Sequence, residues 1–337
     1  MASSSEASGQ ARRKSAGRVQ EFLITEAPVL SIACFFLVVV LVFASITDAF
    51  LSQVNLLNLL RQAAPTLIVA VAMTLVITTG GIDLSVGSTL ALTGALAATA
   101  IAAGIPWLLV LPAMLALGAA IGGLNGYFTA YAGIPAFIVT LASLSVVRGT
   151  ALLLTQGYSI PIPSDIGFVW LGRGWLLGLP VPAILAVLVV LAGWLVLTRT
   201  RYGRYVTGVG ANAEAVRRAG VDVRRIVLSV YVLTGLAGAA AGLLIAARLG
   251  SGSSNQAVGF ELEVIAAVVL GGTSLFGGRG TVLGTVLGAL TIAVIGNGLI
   301  LARISPFFTQ IVTGAIILAA IWFNTRLLAR ARTLRVR

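Results

Sequence analysis

The chain has no histidine, one cysteine and one lysine, and only 9% of its 337 residues are charged. Histidine is the commonest general base and metal ligand near neutral pH, so its absence removes most acid–base and metal chemistry. Cys34 stands alone inside an apolar run, which excludes a disulfide framework and any paired-cysteine metal or redox site. Lys14 follows Arg13, and no Gly-Lys pair exists. A phosphate-cradling loop needs Gly-Lys-[Ser/Thr]. The chain is therefore expected to bind no ATP, metal or cofactor and to hold no catalytic residues. Soluble domains carry about 25% charged residues, so a water-facing surface cannot be assembled from this inventory.

What is present instead is 58% hydrophobic residues and 39 glycines, the composition of a membrane-integrated protein. The net charge of +12 is not a nucleic-acid signal, because most basic residues fall in three blocks. Arg12, Arg13, Lys14 and Arg18 form the first, seven arginines between Arg199 and Arg225 the second, and five between Arg326 and Arg337 the third. Lys and Arg accumulate in short cytoplasmic loops. This places the basic N-terminal tail (1–27), the 199–225 loop and the basic C-terminal tail (326–337) in the cytoplasm, with no nucleic acid as partner.

A spanning helix needs about 20 predominantly apolar residues. Charge-free stretches predict ten spans, near 28–47, 63–80, 85–104, 107–131, 135–155, 181–198, 226–247, 260–275, 282–301 and 307–325. Six lie before the basic loop and four after it, as parity requires. The expected fold is all-α: a polytopic integral membrane domain over 28–325, with about ten transmembrane helices and a short cytoplasmic helix. The first run exceeds the about 7–15 residues of a signal-peptide core and is read as an uncleaved span.

Single residues stand out against this background. In the basic loop, Asn212 is a good N-cap, Glu214 complements the helix dipole, and Gly220 suits the left-handed position after a helix. They bound a helix of about two turns, too polar for the bilayer and suited to a partner. Asp83 is the only acid between Asp48 and Asp165. Charge at membrane depth costs about 2.5–3.5 kcal/mol or more, so Asp83 is expected to cap the following helix with help from Ser85, or to serve in a pathway or gate. Arg148, alone after 64 uncharged residues, is expected to snorkel to the outer headgroups. The loop 156–180 carries Tyr158, Phe168, Trp170 and Trp175, an aromatic belt or a docking surface. The runs Gly235–Gly242 and Gly284–Gly288 suit close helix packing. Glu261 and Glu263 precede a short run broken by Gly271-Gly272, which weakly echoes Gly80-Gly81. Paired glycine-interrupted segments can mark a transport site, but these two would run in the same direction, so coincidence remains an open reading.

The block Gly80-Gly81-Ile82-Asp83-Leu84-Ser85-Val86-Gly87-Ser88, followed by Leu90-Ala91-Leu92, resembles a signature of permease subunits in bacterial ATP-binding-cassette importers of the ribose/xylose/arabinose type. The loop carrying Gly208, Gly210, Asn212, Glu214, Ala215, Gly220 and Val221 resembles that family's ATPase-coupling loop. Ile265 through Leu275, with Gly271, Gly272, Thr273 and Ser274, and then Gly277-Gly278-Arg279-Gly280, resemble its third block. Asn55 and Asn58 fit as well, and the likeness extends over roughly 40–325.

The resemblance implies a multi-pass permease of the bacterial cytoplasmic (inner) membrane, surrounded by lipid, with both termini cytoplasmic. It would pair with a second permease copy, as a homodimer or a paralogous heterodimer. A cytoplasmic ABC ATPase subunit would use the ATP, and an extracytoplasmic binding protein would deliver a monosaccharide. Gly80, Gly81, Asp83, Ser85, Gly87, Ser88, Gly271, Gly272, Thr273 and Ser274 would form the translocation or gating motif. The alternatives are a branched-chain amino-acid-type ABC permease and an ion-coupled secondary transporter. The second needs ionisable groups in the membrane, and Asp83 is the one candidate.

Overall fold

The computed structural model describes residues 29–305 together with Phe308, Ile311, Val312, Gly314, Ala315 and Leu318. The two tails, 1–27 and 326–337, and most of the span expected at 307–325 lie outside the described residues. The helices are α1 (Val29–Ile46), α2 (Gln53–Thr78), α3 (Val86–Ala102), α4 (Trp107–Ala130), α5 (Ala136–Thr155), α6 (Trp170–Arg173), α7 (Val181–Arg199), α8 (Arg201–Arg218), α9 (Val223–Leu249), α10 (Phe260–Leu270) and α11 (Val282–Leu301). Four short strands, β1 (Ser159–Pro161), β2 (Trp175–Leu176), β3 (Leu179–Pro180) and β4 (Ser251–Ser253), form two antiparallel pairs, β1 with β4 and β2 with β3. Among the described residues, seven helices, α1, α2, α4, α5, α7, α9 and α11, are long and apolar enough to cross a membrane.

Nine of the ten expected spans thus correspond to helices. α2 starts at Gln53, where Ser52 accepts from the Asn55 backbone, earlier than the charge of Arg61 suggested. Its residues from Ala63 to Thr78 are buried on every side, and it is apolar all round, as a central helix must be. Phe168, expected in the aromatic belt, is instead fully buried with Ile162 and Val169, while Tyr158, Trp170 and Trp175 are exposed.

In lipid, helices associate through close backbone packing at small residues. α4 lays Gly118, Gly122 and Gly126 against Gly235, Tyr231 and Leu228 of α9. A Cβ at Gly122 would overlap the Tyr231 carbonyl, whereas one at Gly123 meets only Val232 Cγ2 at 3.7 Å. Gly122→Ala is expected to cost about 1–3 kcal/mol of stability through overpacking, and Gly123→Ala almost nothing. Thermal unfolding in detergent compares the two, and equal melting temperatures would contradict this packing.

Two of the expected spans are completed differently. Gly238 of α9 faces Val86 and Thr89, so α3 begins about 22 Å along α9 from Val223, at 1.5 Å per residue. Residues 79–85 climb to that depth as irregular chain from the end of α2. From the opposite end, Gly252 packs on Gly94, Ala95 and Ala98 of α3, and Ala257 reaches Gly87, so 250–259 descends alongside α3 before α10 starts. α3, with 17 residues or about 26 Å, and α10, with 11 residues or about 17 Å, are therefore shorter than the spans expected at 85–104 and 260–275, and irregular backbone completes each. Such backbone survives in a membrane only where protein satisfies its polar groups.

Candidate translocation and coupling site

The N-termini of α3 and α10 meet inside the bundle. A Cβ at Gly87 would lie 2.9 Å from the Ala257 carbonyl oxygen and would collide with Glu261 Oε2. The Glu261 carboxylate thus sits at the positive end of α3, where anionic charge is favourable. Arg148 of α5 faces the same place. Its Nη1 donates to the carbonyls of Ser254 (2.7 Å) and Gln256 (2.7 Å), and its Nη2 to that of Ala257 (3.3 Å). Arg148 does not snorkel outward: the descending segment turns three carbonyls toward it, that of Ala257 also accepting from the Phe260 N–H, and a guanidinium has the donors to bind them all.

The climbing segment is held by side chains from three helices. Thr140 Oγ1 of α5 and Tyr231 Oη of α9 both donate to the Ile82 carbonyl, at 3.2 and 3.3 Å. Asp83 is fully buried, and its Oδ1 accepts from the Ser85 backbone N–H (2.9 Å) and hydroxyl (2.6 Å). Asn125 Nδ2 of α4 donates to that same hydroxyl oxygen at 2.8 Å. Asp83 therefore orders the turn into α3, close to the expected capping role. Ser85 occupies the N-cap position but makes no side-chain cap bond to the helix, because its hydroxyl is directed at Asp83. Ser88 Oγ donates to the Ser85 carbonyl at 2.8 Å. Tyr231 and Thr140 carry no local signature, and neither stands out in the sequence.

The three motif blocks converge at the α8 end of the bundle. The Gly278 N–H donates to the Thr78 carbonyl at 2.9 Å. A Cβ at Gly210 would overlap that carbonyl and lie 2.5 Å from the Gly278 nitrogen, and one at Gly280 would overlap Thr78 Oγ1. Gly277, at φ +80°, is tight against Gly80 N and Gly210 O. Gly80 thus joins this junction, while Gly81 packs under Tyr231. Gly271 and Gly272 turn the chain out of α10, and Gly271 packs on Gly284. Thr273 Oγ1 accepts from the Thr281 N–H at 3.2 Å, and the Ser274 N–H donates to the Arg279 carbonyl at 3.0 Å. Gly80 therefore meets the Phe276–Gly278 turn that follows the second glycine break, whereas Gly271 itself packs on Gly284. A cavity of about 430 Å³ opens beside Gly80 and Gly81, lined among others by Thr79, Arg217 and Tyr231.

α8 contains the expected short helix as its second half. Asn212 leaves helical geometry at φ −163°, ψ 92°, and its Oδ1 accepts from the Ala215 N–H at 2.9 Å. Gly220 has φ +84°, with its N–H on Arg217 O (2.9 Å) and the Val221 N–H on Val216 O (3.3 Å). Such paired bonds satisfy a helix C-terminus. Glu214 pairs with Arg217 and Arg218, both at 3.0 Å and exposed; exposed pairs contribute only about 0–1 kcal/mol. The first half of α8, capped by Thr200 and carrying Gly208, is additional to what the sequence suggested. It is tied to α9 by Tyr202 Oη, 2.7 Å from Ser229 Oγ, and burial raises the pKa of this phenol.

A multi-pass bundle with broken helices meeting at mid-depth and a capped polar helix at one end is the architecture of a membrane permease, a transport subunit rather than an enzyme. Residues 55–321 match the family described as branched-chain amino acid transport system / permease component, and the chain belongs to it. It is 42% identical over 297 residues to the ribose import permease protein RbsC of Escherichia coli, covering 86% of this chain and 91% of that one. The Bacillus subtilis ribose import permease RbsC is also 42% identical, over 86% of this chain and 90% of its own. The xylose transport system permease protein XylH of Escherichia coli is 36% identical, over 85% and 89%. No solved structure matches the chain.

Proposed function

We propose that this chain is the membrane-spanning subunit of an ATP-driven importer that carries an uncharged monosaccharide delivered by an extracytoplasmic binding protein. The family's description refers to amino-acid systems, but the similar relatives named above import ribose or xylose, and this favours a sugar. An anionic substrate would call for free arginines or helix N-termini, whereas the α3 end faces the Glu261 carboxylate and Arg148 is taken up by three backbone carbonyls. α8 faces the cytoplasm in this reading, as do both termini. A second permease copy completes the pathway, and the residues at the two breaks, from Gly80 to Ser88 and from Gly271 to Ser274, act in translocation or gating.

The observation that carries the reading is the junction at Thr78. A push on α8 is passed through Gly210 directly to the end of α2, to the climbing segment and to the turn before α11. The exposed 213–218 half of α8 is where the ATPase subunit docks, and ATP is bound there by the partner alone. Competition uptake with labelled ribose, xylose, arabinose and galactose, in cells expressing the whole system, tests the substrate class. Saturable uptake blocked by one of these sugars is expected, and uptake blocked only by branched-chain amino acids would overturn it.

Coupling has its own test. Glu214→Arg places positive charge at the positive end of the 213–218 helix and removes two ion pairs. ATPase stimulation and uptake should fall together, by about fivefold or more if around 1 kcal/mol of docking energy is lost, with membrane insertion unchanged. Undiminished uptake would show that this surface does not dock the ATPase.

A further inference from the structure

Outside the three basic blocks, Arg61, Arg173 and Arg248 converge at the end of the bundle opposite α8. Arg173 Nε donates to the Arg248 carbonyl at 2.7 Å, and Gly172 packs directly on the backbone of Ala247 and Arg248. The Arg61 guanidinium lies over the Trp175 ring, 5.0 Å from its centroid, and its charge repels that of Arg248. Among the described residues no carboxylate pairs with any of the three; the ion pairs there are those of Glu214 and Asp222. Two guanidinium donors, Arg61 Nε and Arg248 Nη1, are buried without a hydrogen-bond partner. Gathered cations with orphaned buried donors are incomplete without an anion, and guanidinium forks match phosphate oxygens.

The surroundings indicate where that anion comes from. The β2–β3 hairpin presents Trp175, Leu176, Leu177 and Leu179 outward, with Leu177 95% exposed at its tip. Leu60 and Leu249, next in sequence to Arg61 and Arg248, are exposed too. Exposed leucines around a tryptophan belong at the membrane interface, where a cationic pocket meets lipid headgroups. We propose that Arg61, Arg173 and Arg248 bind the phosphate of an anionic phospholipid, with the hairpin dipping into the same leaflet. The lipid would tie α2, α9 and the α6 hairpin together. An acidic protein surface would need no apolar rim of this kind.

The test uses the full-length permease, delipidated and reconstituted into nanodiscs of phosphatidylcholine containing a minor fraction of phosphatidylglycerol. Lipid retained after re-extraction is quantified by mass spectrometry. Wild type is expected to enrich phosphatidylglycerol, and each arginine-to-glutamine change to lower the enrichment about fivefold. Arg173→Gln is the informative single variant, because its exposed side chain can be changed without threatening the fold; Arg61→Gln with Arg248→Gln should abolish enrichment. Arg204→Gln, exposed on α8 at the opposite end of the bundle, should leave it unchanged. Equal retention of the two lipids, or enrichment indifferent to Arg173→Gln, would overturn the proposal. So would displacement of the lipid by inorganic phosphate, which would mark a simple ion site. Variants that keep the lipid but lose capture by an extracytoplasmic binding protein would overturn it too, in favour of a protein dock.

Discussion

Arg148→Ala is expected to abolish uptake and to lower the melting temperature of the purified permease more than any other substitution on α5. The side chain donates to three carbonyls of the descending segment and is the cation whose charge acts on Glu261. A hydrogen bond to a charged group contributes about 1.5–3 kcal/mol, and this side chain makes three. Against a total stability of about 5–15 kcal/mol, a loss of this size frees residues 254–257 from α5 and leaves Glu261 uncompensated. Arg148→Lys keeps the charge but not the planar fork, so it should recover stability only in part. Circular dichroism melting of both variants, with uptake measured in parallel, gives the comparison. An alanine variant that melts with the parent would mean that the descending segment is held by something else.

Local chemistry explains which parts of this architecture the sequence revealed. Asn212 and Gly220 act on bonds three to five residues away, so the capped helix was legible from its own residues. The span positions were legible because membrane helices announce themselves by length and lack of charge. Depth was not. A charge-free ruler measures how long a segment is, not where it starts: α3 begins only at Val86, after irregular chain, and α10 is 11 residues long with Glu261 and Glu263 in its first turn. Arg148 was misread because its acceptors lie 106 to 109 residues further on. Tyr231 donates across 149 residues to a carbonyl, an acceptor that every residue possesses and no pattern marks. The first half of α8 is polar and glycine-containing, with its stability supplied by packing on α9 and on the Thr78 junction. The glycines of the three motif blocks were visible individually, whereas their meeting at one carbonyl is a property of the fold alone.

That meeting point gives the second large expectation. Gly210→Ala should disconnect ATP hydrolysis from transport in the reconstituted complex. A methyl group there would overlap the Thr78 carbonyl and press on the Gly278 nitrogen, breaking the 2.9 Å Gly278-to-Thr78 hydrogen bond. Neither neighbour can yield cheaply, because both are backbone. Overpacking against rigid atoms costs about 1–3 kcal/mol, and 1.4 kcal/mol is already tenfold in an equilibrium. Uptake is therefore expected to fall at least about tenfold, while the ATPase subunit keeps its basal turnover and loses stimulation by the sugar-loaded binding protein. Gly280→Ala attacks the same junction from the other side, through Thr78 Oγ1, and should give the same phenotype. Gly123→Ala is the control: its methyl meets only Val232 Cγ2, at 3.7 Å, away from the junction. Normal coupled transport in Gly210→Ala would show that force from α8 reaches the membrane helices by another route, with the shared connection between α8 and α9 through Tyr202 and Ser229 the next to be cut.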